Sequence, residues 1–132
     1  RPGVILVEDS PYESALAYLA LSGKAAPVVQ APDLRAARRM IAAAEVPVGL
    51  AVLGPRAIIR VSGAGIAALR VPAIGIGVRL SQEEEQRARE AGVRAVYRRP
   101  REWRDYVALV GEMLADWLVT RRDSPPRRAR TS

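Results

Sequence analysis

Apolar residues in this chain gather into short unbroken runs separated by longer amphipathic stretches. Val4–Val7 and Val48–Leu53 carry no charged side chain. A run of that length with no polar face suits a strand covered on both sides. Gly54-Pro55 closes the second run, because proline has no N–H to give a ladder. The Val48–Leu53 strand is therefore expected at the centre of a parallel sheet, with its carboxyl end opening onto a loop. In open α/β sheets ligands and chemistry gather at that edge. The residue standing there is Gly54, which brings no side chain.

The same pattern organises the rest of the chain. After Val4–Val7 come Glu8-Asp9-Ser10-Pro11 and a helix expected over about Tyr12–Leu21, with Leu16, Leu19 and Ala20 at helical spacing and Ser22-Gly23 as its stop. Pro27–Ala31 reads as a short edge strand, since it begins with proline. Asp33 is the expected N-cap of a helix striped by Leu34, Ala37, Ile41 and Ala44, with Arg35, Arg38 and Arg39 facing water. Ala57–Val61 fits a loop or a stray strand, and Ser62–Leu69 a short helix weakened by Gly63 and Gly65. Pro72–Val78 is a fourth strand. Ser81-Gln82-Glu83-Glu84 forms a capping box for a helix running to Ala91 and ending at Gly92. Val93–Tyr97 is a fifth strand, and a last helix is expected over about Arg101–Thr120. Five strands alternating with five helical segments predict a doubly wound α/β sandwich.

Composition narrows the chemistry. The 132 residues suffice for one domain, expected over 1–120. The chain has neither cysteine nor histidine, which removes disulfides, thiolate nucleophiles, the usual zinc ligands, phosphohistidine and the commonest general base. Lack of cysteine fits a reducing, cytoplasmic compartment, and no run approaches the roughly 18 apolar residues that cross a bilayer. The chain begins with Arg1 rather than Met, so preceding residues are expected. Of the net charge of +7, Arg121, Arg122, Arg127, Arg128 and Arg130 against Asp123 place +4 in a Pro- and Arg-rich tail, expected to be disordered. The +3 left on 1–120 is a weak argument for nucleic acid, so no nucleic-acid partner is expected for this domain. Gly63-Ala64-Gly65 and Gly75-Ile76-Gly77 match neither a dinucleotide fingerprint nor a Walker loop and read as structural glycines.

Val-Ile-Leu-Val-Glu-Asp-Ser (4–10), Leu-Ala-Val-Leu-Gly-Pro (50–55), Val-Pro-Ala-Ile-Gly-Ile-Gly (71–77) and Ala-Gly-Val-Arg-Ala-Val-Tyr-Arg-Arg-Pro (91–100) occur in an order and spacing that resemble the receiver domain of two-component response regulators. The resemblance spans residues 4 to about 118 and implies a CheY-like, flavodoxin-like (βα)5 fold with strand order 2-1-3-4-5. A receiver accepts a phosphoryl group on an aspartate after the third strand. Two acidic residues after the first strand help hold Mg²⁺, a Thr or Ser after the fourth strand and a Lys after the fifth bind phosphoryl oxygens, and an aromatic on the fifth strand changes rotamer.

Only part of that set remains at the matching positions. The acidic pair is Glu8 and Asp9, the acceptor position is Gly54, the Thr/Ser position is Gly77, the Lys position is Arg99, and the aromatic switch position is Val96, with Tyr97 expected to face the other way. No Asp or Glu occurs between Val46 and Gln82, so no shift of register supplies an acceptor. The chain is therefore expected to be an aspartate-less receiver, not an enzyme, that works as a phosphorylation-independent interaction module without a cofactor. Mg²⁺ held by Glu8 and Asp9 alone would lack a third carboxylate and bind poorly. Arg99 is expected to fill the space left at Gly54 and Gly77 and to pair with Asp9 or Glu8.

Along the last helix Trp103, Val107, Val110, Leu114 and Trp117 form one stripe, widened by Tyr106, Met113 and Leu118. That exceeds one buried stripe. The excess predicts an interaction surface of Tyr97, Trp103, Tyr106, Val110, Met113 and Trp117. It also predicts a homodimer through the Ser81 helix, the fifth strand and the last helix. Expected partners are signalling proteins, either a histidine kinase or an output protein. Two other readings are carried: a small-molecule sensor using the vacated pocket, and the regulatory half of a transcription factor.

Overall fold

The computed structural model describes residues 2–24, 27–44 and 47–118. The basic tail and the end of the last predicted helix lie outside the described residues. Five parallel strands, β1 (Gly3–Val7), β2 (Val28–Ala31), β3 (Val48–Leu53), β4 (Ala73–Gly77) and β5 (Val96–Arg98), form one sheet in the order β2-β1-β3-β4-β5. This is the flavodoxin-like order expected above. β3 lies between β1 and β4, and Pro27 heads an edge strand, as the apolar runs imply.

Strand alternation splits the core in two. Val4, Leu6, Leu50, Val52, Ile74, Ile76 and Tyr97 point into a layer covered by α1 (Pro11–Ser22) and α6 (Trp103–Trp117). Ile5, Val7, Ala51, Leu53, Ala73 and Val96 point into the opposite layer, under α2 (Leu34–Ala43), α3 (Pro55–Ile58), α4 (Gly63–Leu69) and α5 (Gln82–Glu90). Caps set the helix starts. The side chains of Ser10, Asp33, Ser62 and Ser81 each accept a backbone N–H of the first turn, and Ser81 with Glu84 completes the capping box.

The fifth strand is Val96–Arg98 rather than Val93–Tyr97. Two further expectations change. The segment after Gly54 is neither loop nor strand but the four-residue α3, followed by a turn and then α4, so six helices replace five. Such a short helix is not self-stable; it is pinned because Ile58 is fully buried over Gly75, where a Cβ would lie 2.4 Å from Ile58 Cδ1. Burying an isoleucine contributes about 1.5–3 kcal/mol. The second change concerns α6, whose buried side is Tyr106, Val110, Met113 and Leu114, with Trp117 half-buried, whereas Trp103 is exposed. Tyr97, Tyr106, Val110 and Met113 are thus core residues packed on the sheet, and the proposed interaction surface loses them. The extra apolar side chains of α6 are needed because this helix and α1 together cover one whole face of the sheet.

Candidate functional site

The carboxyl ends of β1 and β3 meet where Gly54 N–H donates to Val7 carbonyl oxygen at 2.9 Å. This brings Glu8 against Gly54. Glu8 is only 4 % exposed, the one buried charged residue among those described. Its Oε1 accepts the backbone N–H of Arg56 at 3.0 Å and of Ala57 at 3.3 Å, and its Oε2 accepts Ser10 N–H at 2.9 Å. Two of these donors belong to the first turn of α3, whose N-cap Gly54 has no side chain to offer them. Glu8 therefore caps α3 from another strand. The anion also meets the positive end of the peptide dipoles there.

Gly54 is required by this arrangement. A Cβ on it would lie 2.3 Å from Glu8 Oε1 and 2.9 Å from Glu8 Cβ. Likewise a Cβ on Gly77 would stand 3.0 Å from Leu80 Cδ2 and 3.3 Å from Leu80 Cβ. The expectation of a vacated space is corrected at Gly54, which Glu8 fills. Leu80 packs against Gly77, which together with Tyr12, Arg99 and Tyr106 lines a separate open cleft.

Asp9 turns outward and is clamped by two guanidinium groups. Oδ1 accepts Arg56 Nε at 2.7 Å and Oδ2 accepts an Arg60 terminal nitrogen at 2.7 Å. The hydrogen bond from Arg56 is the main cause of an Asp9 pKa held below the usual carboxylate value, with Arg60 adding to it against partial desolvation. The same bond raises the Arg56 pKa. Arg56 lies in α3 and Arg60 in the turn that follows it, so both can reach a single carboxylate. Neither was singled out in the sequence. The available signal was Arg56 directly after Gly54-Pro55 with Arg60 four residues on, in a window with no acid of its own.

Arg99 does not join this cluster, contrary to expectation. Its guanidinium pairs with Glu13 in the first turn of α1, and both side chains are mostly buried. It also lies over the Tyr106 ring, 5.9 Å from the centroid, and its backbone N–H donates to Gly77 carbonyl oxygen at 3.1 Å. Tyr106 in turn meets the Trp103 ring edge-on at 5.7 Å. Arg99 is drawn to Glu13 because Asp9 is already satisfied and Glu8 faces α3. Val96 and Tyr97 point into opposite layers, and the Tyr97 hydroxyl accepts Trp117 Nε1–H at 2.9 Å.

The donor set does not fit Mg²⁺. Both Glu8 oxygens are taken by backbone N–H groups, both Asp9 oxygens by arginine, and no group of three metal-ligating side chains occurs among the described residues. A hard dication needs several free oxygen ligands. Adding it here would mean stripping α3 of its cap and bringing a dication beside two guanidinium groups.

Comparison with known proteins identifies the fold. A scan of protein-family models finds no match, and a search of curated proteins finds none. Among solved structures, a response regulator from Hahella chejuensis superposes with a TM-score of 0.72 at 17 % identity, covering 94 % of this chain and 100 % of that one. The phosphorylated cyanobacterial phytochrome response regulator RcpA gives 0.70 at 18 % identity, over 92 % and 97 % of the two chains. An atypical orphan response regulator with a phosphorylation-independent regulatory mechanism gives 0.64 at 16 %, over 87 % and 97 %. The chain thus has the fold of response-regulator receiver domains. At these identities the likeness is one of fold, and function rests on the site.

Proposed function

We propose that this chain is a pseudo-receiver: a signalling module of receiver fold that takes no phosphoryl group and works by binding another protein in a conformation already set. The observation that carries this reading is the Glu8 carboxylate. It stands where a side chain on residue 54 would have to go, and it is held by three backbone N–H groups. Asp9, clamped by Arg56 and Arg60, supports it, because the protein's own cations take the place a metal would need. With no acceptor at Gly54, no hydroxyl at Gly77, and Glu8 and Asp9 already engaged, phosphorylation has no differential energy with which to shift a two-state equilibrium. The phosphorylation-independent orphan regulator of like fold is a precedent for such a mode. Histidine kinases and output proteins are the partner classes this reading implies.

The docking face in this reading is α5, β5 and α6. It is charged rather than apolar. Glu83 and Glu90 are exposed on α5, Glu85 bridges Arg89 at 2.9 Å and Arg98 at 3.6 Å, and Arg101 and Arg104 flank Trp103. Incubation with acetyl phosphate and Mg²⁺, followed by intact-mass measurement, tests the proposal. The expected result is no phosphoryl adduct, and beryllofluoride with Mg²⁺ should leave the amide NMR spectrum unchanged. An acyl phosphate on any carboxylate, or spectral changes running from the Glu8 loop to β5, would refute it.

A further inference from the structure

Beside the Asp9 cluster, on the α2 side, a cleft of about 470 Å³ opens between α2 and the α3–α4 segment. Its size falls within the range of small-molecule sites. The inner lining is apolar: Val7 at the end of β1, Leu34, Ala57 and Ala68. Small residues keep it open at α4, where a Cβ on Gly65 would come within 2.9 Å of Leu34 Cδ1. The rim is basic. Arg35 and Arg38, one turn apart on α2, are exposed and both border the cleft, and Arg60 borders it from the other side. Among the described residues neither Arg35 nor Arg38 has an ion pair or a side-chain hydrogen bond.

Two carboxylates also face this cleft, and both are engaged. Asp33 accepts Ala36 N–H at 2.8 Å as the cap of α2, and Asp9 is held by Arg56 and Arg60. The charges left without a counter-ion are the two α2 guanidinium groups. Forked donors spaced one turn apart match the oxygens of a phosphate.

We propose that the α2–α4 cleft binds a phosphorylated small molecule, its phosphate gripped by Arg35 and Arg38 and a flat apolar body, of nucleotide type, resting on Leu34, Ala57 and Ala68. The site is separate from the Glu8–Gly54 contact and stands whether or not the chain accepts phosphoryl groups.

The test is an amide NMR titration of the full chain with AMP, with inorganic phosphate and with adenosine in parallel. AMP should give saturable shifts at Arg35, Arg38, Ala64 and Gly65. Phosphate should shift the same α2 amides more weakly, and adenosine should bind at least about tenfold more weakly than AMP, as loss of charge-assisted bonds requires. Arg35→Gln with Arg38→Gln changes only exposed side chains and should weaken AMP at least about tenfold. Ala64→Leu, which fills the cleft from an exposed helical position, should weaken AMP and spare phosphate. No saturable shift with either AMP or phosphate overturns the proposal, as does AMP binding undiminished in the double variant or adenosine binding as tightly as AMP.

Discussion

A Cβ on Gly54 would lie 2.3 Å from Glu8 Oε1, so these two positions cannot be changed independently. Gly54→Ala should destabilise the fold by about 1–3 kcal/mol, as overpacking does. Glu8→Ala should cost a similar amount, because it leaves Ser10, Arg56 and Ala57 N–H groups without their acceptor. The double variant should cost less than the sum, since the clash disappears with the carboxylate; urea denaturation of the four proteins measures the coupling. Strict additivity would mean that Gly54 is not there to make room for Glu8. Asp9 gives a pH prediction. Its folded pKa is lowered, chiefly by Arg56, so its contribution is present above the ordinary value of 3.8 and is lost as pH falls through the lower folded value. Asp9→Asn should therefore flatten the acid limb of the stability profile below about pH 4 and leave the shape above it unchanged. At this scale the lack of a side chain at the end of β3 was plain in the sequence. The identity of what fills the space was not, because Glu8 is satisfied by backbone N–H groups of a helix that propensity does not reveal.

Among the elements, the first four strands were legible, whereas the bounds of β5 and the third crossover were not. Val4–Val7 and Val48–Leu53 are wholly apolar because each is covered on both faces, and the described strands fall on those runs. α3 is stabilised by contacts from elsewhere, Ile58 on Gly75 and Glu8 at its start, so Pro55 at its first position is the only local sign of a helix in Pro55–Ile58. In α6 the expected stripe holds at Val110, Leu114 and Trp117 and departs at its start: Trp103 is exposed, and the helix turns Tyr106 to the core, where its ring lies under Arg99. Burial pushes the Tyr106 pKa up to about 12, the nearby Arg99 charge opposing that and Glu13 reinforcing it. The folded state thus keeps a proton that the unfolded chain loses near pH 10. Stability is full below pH 10 and drains away as pH rises through about 12. Tyr106→Phe keeps the ring and should remove about 2–3 kcal/mol of that alkaline loss, read as the difference in urea midpoint between pH 9 and pH 12. An alkaline limb identical to the parent's would mean that the hydroxyl ionises freely.

For the molecule as a whole, the fold was readable because alternation of apolar runs and capped helices admits few topologies. The surface was not, since exposure depends on which way each helix turns. That difference decides how self-association should behave. An apolar seam on α6 would hold a dimer at any ionic strength. The described face instead offers exposed Glu83 and Glu90 on α5 beside Arg98 and Arg101. In a two-fold arrangement the same patch meets itself, so acids of one copy can face arginines of the other. Such a contact is screened over a Debye length of about 8 Å at physiological salt and roughly 3 Å at 1 M. Light scattering across a dilution series should accordingly show a dimer at low salt that weakens at least about tenfold by roughly 0.5 M NaCl. Glu83→Lys with Glu90→Lys should abolish it, Arg98→Glu with Arg101→Glu should do the same, and mixing the two charge-reversed proteins should restore association as a heterodimer. A dimer indifferent to salt would place the seam elsewhere, and a monomer at every salt and concentration would reserve this face for a different protein.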